Sequence, residues 1–162
     1  MKLSIALQMD PIESIDVQGD TSFALALEAQ SRGYDLWHYT PDRLSLNGTR
    51  IEAVGVSLRL NDKIGDHFNS GDQEIRNLAD FDVVLMRQDP PFDMAYITAT
   101  HILEMLPVTT MVVNNPAEVR NAPEKLLVTL FPDIMPPTLI SRDLETIRSF
   151  RQKHPDTIIK PL

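Results

Sequence analysis

The chain has no cysteine, few glycines and no long apolar run, and each shortage removes a class of protein. Without cysteine there is no disulfide framework, no thiolate metal site and no cysteine nucleophile. The six glycines are scattered over 162 residues. Neither GxGxxG nor GxxxxGK[ST] occurs, so a self-contained phosphate loop is not expected within these residues. No apolar stretch approaches the roughly 20 residues that cross a bilayer. The start, Lys2 and then a strand-like run closed by Asp10-Pro11, lacks the layout of a signal peptide. A cytoplasmic protein with no membrane partner is therefore expected. A net charge of −8 and a pI of about 4.9 argue against nucleic acid as a partner. The histidines, His38, His67, His101 and His154, show no ligand spacing and read as surface or capping residues. No metal site and no Ser-His-Asp signature is found, so no catalytic residue is assigned.

What is present is ordinary globular material, 43% hydrophobic and 23% charged. The length allows one domain with a real core and part of a second. Residues 3–9 read as a strand, residues 21–32 as a helix capped near Asp20 and stopped by Gly33, and residues 35–39 as a second strand. Strand, helix and strand make a βαβ unit with a right-handed crossover. Asn47-Gly48 between alternating segments predicts a hairpin whose two turn residues both take φ > 0, with a bulge near Gly55. Residues 61–78 are polar and without period, and read as a loop with one short helix.

Regular α/β order then returns. Residues 83–87 and 109–114 read as buried strands, and residues 93–106 as a helix begun by Asp93. Asn115-Pro116 and Ala122-Pro123 each start a short helix. Two starts so close together place a boundary near Asn121. Beyond it, residues 138–140 read as a strand, 142–153 as a helix, and 157–162 as the start of another strand. Ile158 and Ile159 would need partner strands that residues 122–162 do not offer.

Chemistry concentrates at one point. The apolar run Val83 to Met86 ends in Arg87, Asp89, Pro90 and Pro91. Prolines cannot extend a strand, so the chain turns and an arginine stands at the end of a buried strand. In open α/β sheets ligands bind at that edge. A guanidinium there is costly unless paired, so it is expected to hold either a carboxylate ligand or an internal Asp. Asp10, at the end of the first strand, reads as a turn residue rather than a ligand for an amine. Lys125 and Lys160 lie beside apolar residues at element ends, and Lys160 in particular is placed where it wants an anion.

Met9-Asp-Pro-Ile12, Asp20-Thr-Ser-Phe-Ala24, Met86-Arg-Gln-Asp-Pro-Pro-Phe-Asp93, Val113-Asn-Asn-Pro116, Glu124-Lys-Leu126 and Ile159-Lys-Pro-Leu162 stand in an order and spacing that resembles prokaryotic glutathione synthetase. The resemblance covers the whole chain. It implies an α/β fold: a pre-ATP-grasp, Rossmann-like parallel sheet with helices on both faces and a β-hairpin, residues 1–121. The start of an ATP-grasp domain would follow, residues 122–162. It implies a ligase that joins γ-glutamylcysteine to glycine, with ATP, Mg²⁺ and an acyl phosphate intermediate, and a homotetramer. Lys125 and Lys160 are similar to the family's nucleotide-binding lysines. Arg87 matches an arginine on the peptide-substrate side, and Ser14, Ile15 and Asp16 fall where that substrate also approaches. Asn115 departs from a position where lysine is common. The family's glycine-rich loop and Mg²⁺ ligands have no counterpart in these residues, so the chain alone is expected to be inactive. The alternatives are another ATP-grasp carboxylate–amine ligase and a truncated, non-catalytic oligomerisation module.

Overall fold

A computed structural model describes residues 2–160. The chain divides into two compact units, Met1–Asn121 and Ala122–Leu162.

The first unit is built on a seven-stranded mixed sheet. Its parallel core runs through β2 (Asp35–Tyr39), β1 (Ser4–Gln8), β6 (Val83–Met86) and β7 (Met111–Val113). Ile5 lies opposite Leu36 on one side and Val83 on the other. On the far side of β2 stands β4 (Arg50–Leu60), antiparallel, which also pairs with β3 (Leu44–Asn47) and β5 (Phe68–Asn77).

Helices cover both faces, as expected from the sequence. Alternate residues of β1 serve opposite faces because side chains alternate along a strand. Ile5 and Leu7 pack with Phe23, Ala26 and Ala29 of α1 (Thr21–Ser31). Ala6 packs with Trp37, Tyr39, Val84, Met86 and Leu103, the last from α2 (Met94–Glu104). Full burial of Phe23 contributes about 2–3 kcal/mol. Both helices begin where the sequence places them. The Asp20 carboxylate accepts from the Phe23 amide at 2.7 Å, and the Asp93 carboxylate from the Tyr96 amide at 3.0 Å. Gly33, at φ 82°, takes the left-handed conformation that ends α1. A third helix, α3 (Pro116–Asn121), is capped by Asn115, whose side-chain oxygen accepts from Ala117 and Glu118.

Several sequence expectations are corrected. The hairpin turn is Gly48-Thr49, since Asn47 pairs with Arg50. Only Gly48 has positive φ, at 62°, so one glycine suffices where two left-handed residues were expected. The irregularity expected near Gly55 is present just beyond it, with the extra residue on the partner strand. The register shifts between Val56 and Leu58, where β5 spends an extra residue near Gly71. Gly55 is small for another reason: a Cβ there would lie 2.3 Å from the His38 carbonyl oxygen and 2.7 Å from the Trp37 ring.

Residues 68–77 form a ten-residue strand, not a loop. β5 is an edge strand exposed along most of its length, so it carries no apolar alternation to read. β7 is the opposite edge and is short, with Met111 62% exposed, rather than a buried strand. His38 is buried in β2 rather than on the surface.

The second unit contains α4 (Glu124–Leu127), two 3₁₀ turns and α5 (Leu144–Lys153). The Asp143 carboxylate caps α5 at 2.7 Å from the Thr146 amide. Residues 138–140 and 157–160 form no strand. A strand is held by a ladder partner, and among the described residues these segments have none. Ile158 stays 85% exposed. The remainder of the expected strand 157–162, Pro161 and Leu162, lies outside the described residues.

Candidate functional site

From β1 the chain crosses by α1 to β2, and from β6 it crosses by α2 to β7 in the other direction. The carboxyl ends of β1 and β6 are therefore a topological switch point, where a crevice is left open. A cavity of about 360 Å³ opens there. The loop after β1 supplies Met9, Asp10, Ser14, Ile15 and Asp16. Gly19, Asp20 and Ser22 line it at the start of α1, and Arg87 and Asp89 beyond β6. The four residues assigned from sequence to the peptide side thus share one cavity with Asp10, Asp20, Ser22 and Asp89, which were not assigned.

Arg87 is half-buried. Its amide donates to the Gln8 carbonyl at 2.7 Å, which extends the β1–β6 ladder by one residue and fixes where the side chain departs. The sequence left open a carboxylate ligand or an internal Asp as its partner, and among the described residues no internal Asp takes that place. Among the described residues no carboxylate lies within 4.0 Å of the guanidinium. Hydroxyls take that place. Nε donates to Ser22 Oγ at 3.1 Å and Nη2 to Thr21 Oγ1 at 2.8 Å. Neutral oxygens satisfy donors without cancelling charge. The guanidinium keeps its positive charge available to a ligand.

Four carboxylates, Asp10, Asp16, Asp20 and Asp89, also line the cavity. The Asp10 carboxyl is pushed above its ordinary value, first by loss of solvent and then by the negative charge of Asp89. One cation facing several carboxylates suits a zwitterion, with its carboxylate on Arg87 and its ammonium among the aspartates.

The wall is held from behind. Ile12 is buried and anchors the loop, while Ser14 closes a tight turn onto the Pro11 carbonyl at 2.9 Å. His38 Nε2 lies 3.2 Å from the Asp10 carbonyl and His67 Nε2 lies 2.7 Å from the Ile12 carbonyl. Burial pushes the His38 imidazole below its usual range, so it clasps the loop as a neutral donor. Beneath the strand end, the buried Tyr39 hydroxyl donates to Gln8 Oε1 at 3.0 Å, and Gln8 Nε2 donates to Gln88. No periodic or spacing signal in the sequence joins these residues, because the histidine, tyrosine and glutamine contacts link segments 28 to 80 residues apart.

The two lysines belong to the second unit. Lys125 is half-buried on α4 and Lys160 is exposed. Among the described residues no group of three or more His, Asp or Glu is placed to hold a metal ion.

Comparison with known proteins agrees with the division into two units. The family model for the prokaryotic glutathione synthetase N-terminal domain matches residues 3–120, and that for the prokaryotic glutathione synthetase ATP-grasp domain matches residues 124–162. The chain is 57% identical to the glutathione synthetase of Bradyrhizobium diazoefficiens over 162 residues, which is 100% of this chain and 52% of that protein. It is 54% identical to that of Rhodopseudomonas palustris over 100% of this chain and 52% of that protein. With the glutathione synthetase of Yersinia pestis the figure is 42%, over 99% of this chain and 50% of that protein. The chain spans about half the length of the curated relatives it matches. Matched over residues 3–120 and 124–162 by the two domain models, the chain belongs to the prokaryotic glutathione synthetase family.

Proposed function

We propose that this chain supplies the peptide-side wall of the active site of a glutathione synthetase. The reaction of the whole enzyme is ligation of γ-glutamylcysteine to glycine, with ATP consumed to ADP and phosphate through an acyl phosphate. The observation that carries this reading is the Arg87 guanidinium, held among the described residues by two hydroxyls in a switch-point cavity that four aspartates also line. Arg87 binds a carboxylate of the peptide, and Ser14, Ile15 and Asp16 line its path. Fixed positive charge aimed at a carboxylate orients it at little reorganisation cost.

ATP, when bound, supplies the phosphoryl group that activates the peptide carboxylate. Lys125 and Lys160 are the residues of this chain that would meet the nucleotide, Lys125 on a helix and Lys160 on an extended segment. Both are long, mobile point charges suited to phosphate oxygens. Mg²⁺ accompanies ATP in this reading, with its ligands outside these 162 residues. These residues carry no glycine-rich phosphate loop, so the chain by itself is inactive. The protein works in the cytoplasm as a homo-oligomer, a tetramer at the full length of the family.

The test is substrate dependence in an enzyme of the relatives' length that carries this segment. ATP consumption is expected only when γ-glutamylcysteine and glycine are both present. Equal turnover with other dipeptide-like acceptors would contradict the assignment and favour another ATP-grasp carboxylate–amine ligase.

A further inference from the structure

We propose that Thr21 and Ser22, the first two residues of α1, are positioning residues that fix the orientation in which Arg87 meets the peptide carboxylate. This rests on the reading of Arg87 as the carboxylate-binding group.

A guanidinium has two faces that accept a carboxylate in a bidentate manner, one through Nε and Nη2, the other through the two Nη atoms. In this protein the first face is taken. Ser22 Oγ stands 3.1 Å from Nε and Thr21 Oγ1 stands 2.8 Å from Nη2. Two hydroxyl oxygens occupy the places that the two oxygens of a carboxylate would fill. The ligand is left with the outer face, Nη1 and the second hydrogen of Nη2. The choice of face sets the direction of approach.

The hydroxyls are well fixed for this task. Ser22 is 6% exposed and packed at the start of α1, where Asp20 caps the helix at 2.7 Å from the Phe23 amide. The Arg87 backbone is tied to β1 through the Gln8 carbonyl. Both ends of the guanidinium arm are therefore set by regular structure, one by a helix turn and the other by a strand ladder. Each hydroxyl that accepts from Arg87 keeps its own hydrogen to donate. Had a carboxylate stood there, it would have cancelled the charge. The hydroxyl pair fixes geometry and leaves the charge for the ligand.

The experiment is a double-mutant cycle in an enzyme of the relatives' length carrying this segment, read as KM for γ-glutamylcysteine and for ATP. Thr21→Val with Ser22→Ala is expected to raise the peptide KM about tenfold, with the ATP KM changed less than about twofold. Thr21→Val alone, at an exposed position, gives an intermediate rise and covers the case in which the double variant folds poorly. Thr21→Ser with Ser22→Thr, which keeps both oxygens, restores the parent value. Arg87→Ala raises the peptide KM at least as much, and in that background the hydroxyl deletions add nothing. If Arg87→Ala raises the peptide KM and the hydroxyl deletions do not, the positioning role is overturned while the carboxylate role stands. If the deletions act equally in the Arg87→Ala background, the hydroxyls serve something other than Arg87 and the proposal is overturned. If Arg87→Ala leaves the peptide KM unchanged, the underlying reading fails as well.

Discussion

Arg87 illustrates how far a single residue can be read from sequence. Its position after an apolar run and before two prolines predicted a guanidinium at a strand end, and the structure has it there. Of the two partners left open, a carboxylate ligand or an internal Asp, no Asp is in place among the described residues; the partners within the chain are hydroxyls at the start of α1, 65 and 66 residues earlier. Nothing local in a sequence encodes such a meeting. Asp10 is the complementary lesson: a turn residue by its neighbours, yet a lining residue of the same cavity. Its folded pKa lies above its unfolded value, so folding favours the protonated form. That contribution is fully present below the unfolded carboxylate value and is lost as pH rises through the raised folded value. At neutral pH the ionised Asp10 therefore opposes folding. Asp10→Asn is expected to raise the melting temperature at pH 7 by about 1–2 °C, a small effect because the group is largely solvated. The gain should vanish near pH 3.5. A gain that persists there would show that something other than charge is relieved.

Among the elements, those with an apolar face or a cap were legible. Asp20, Asp93 and Asn115 cap the helices that their side chains announced, and Asp143 caps α5 without having been singled out. The edge strand β5 was not, since Asn69, Ser70, Asp72, Gln73 and Glu74 are exposed and no buried face imposes a period of two. Residues 138–140 and 157–160 of the second unit were read as strands, and a strand-like sequence without a ladder partner does not make one. Gly55 in β4 was noticed for the wrong reason. It allows the Trp37 ring and the His38 carbonyl to approach β4, and His38 in turn reaches the loop that walls the cavity. Gly55→Ala should therefore destabilise the fold by about 2–3 kcal/mol through overpacking. It should also weaken peptide binding by displacing that loop. Urea unfolding checks the first effect, and a cost below about 0.5 kcal/mol would contradict the close packing described.

For the whole molecule, the parallel strands followed from the order of elements, the hairpin from the Asn-Gly signal, and the helices on both faces from the family resemblance. The family followed from motifs spread over the entire length. The contrast between the units was already signalled by Ile158 and Ile159, for which residues 122–162 offered no partner strand. The first buries a continuous two-sided core around β1. In the second, among the described residues, large apolar side chains such as Leu130, Ile134, Leu144 and Ile158 remain exposed. The cavity lies entirely in the first unit, and the proposed peptide recognition rests on it. Titration of the isotope-labelled chain with γ-glutamylcysteine, followed by amide NMR, tests this most directly. Shifts are predicted at Asp10, Ser14, Ile15, Asp16, Ser22 and Asp89, and they should be lost in Arg87→Ala. Shifts that fall elsewhere, or that survive unchanged in Arg87→Ala, would contradict it.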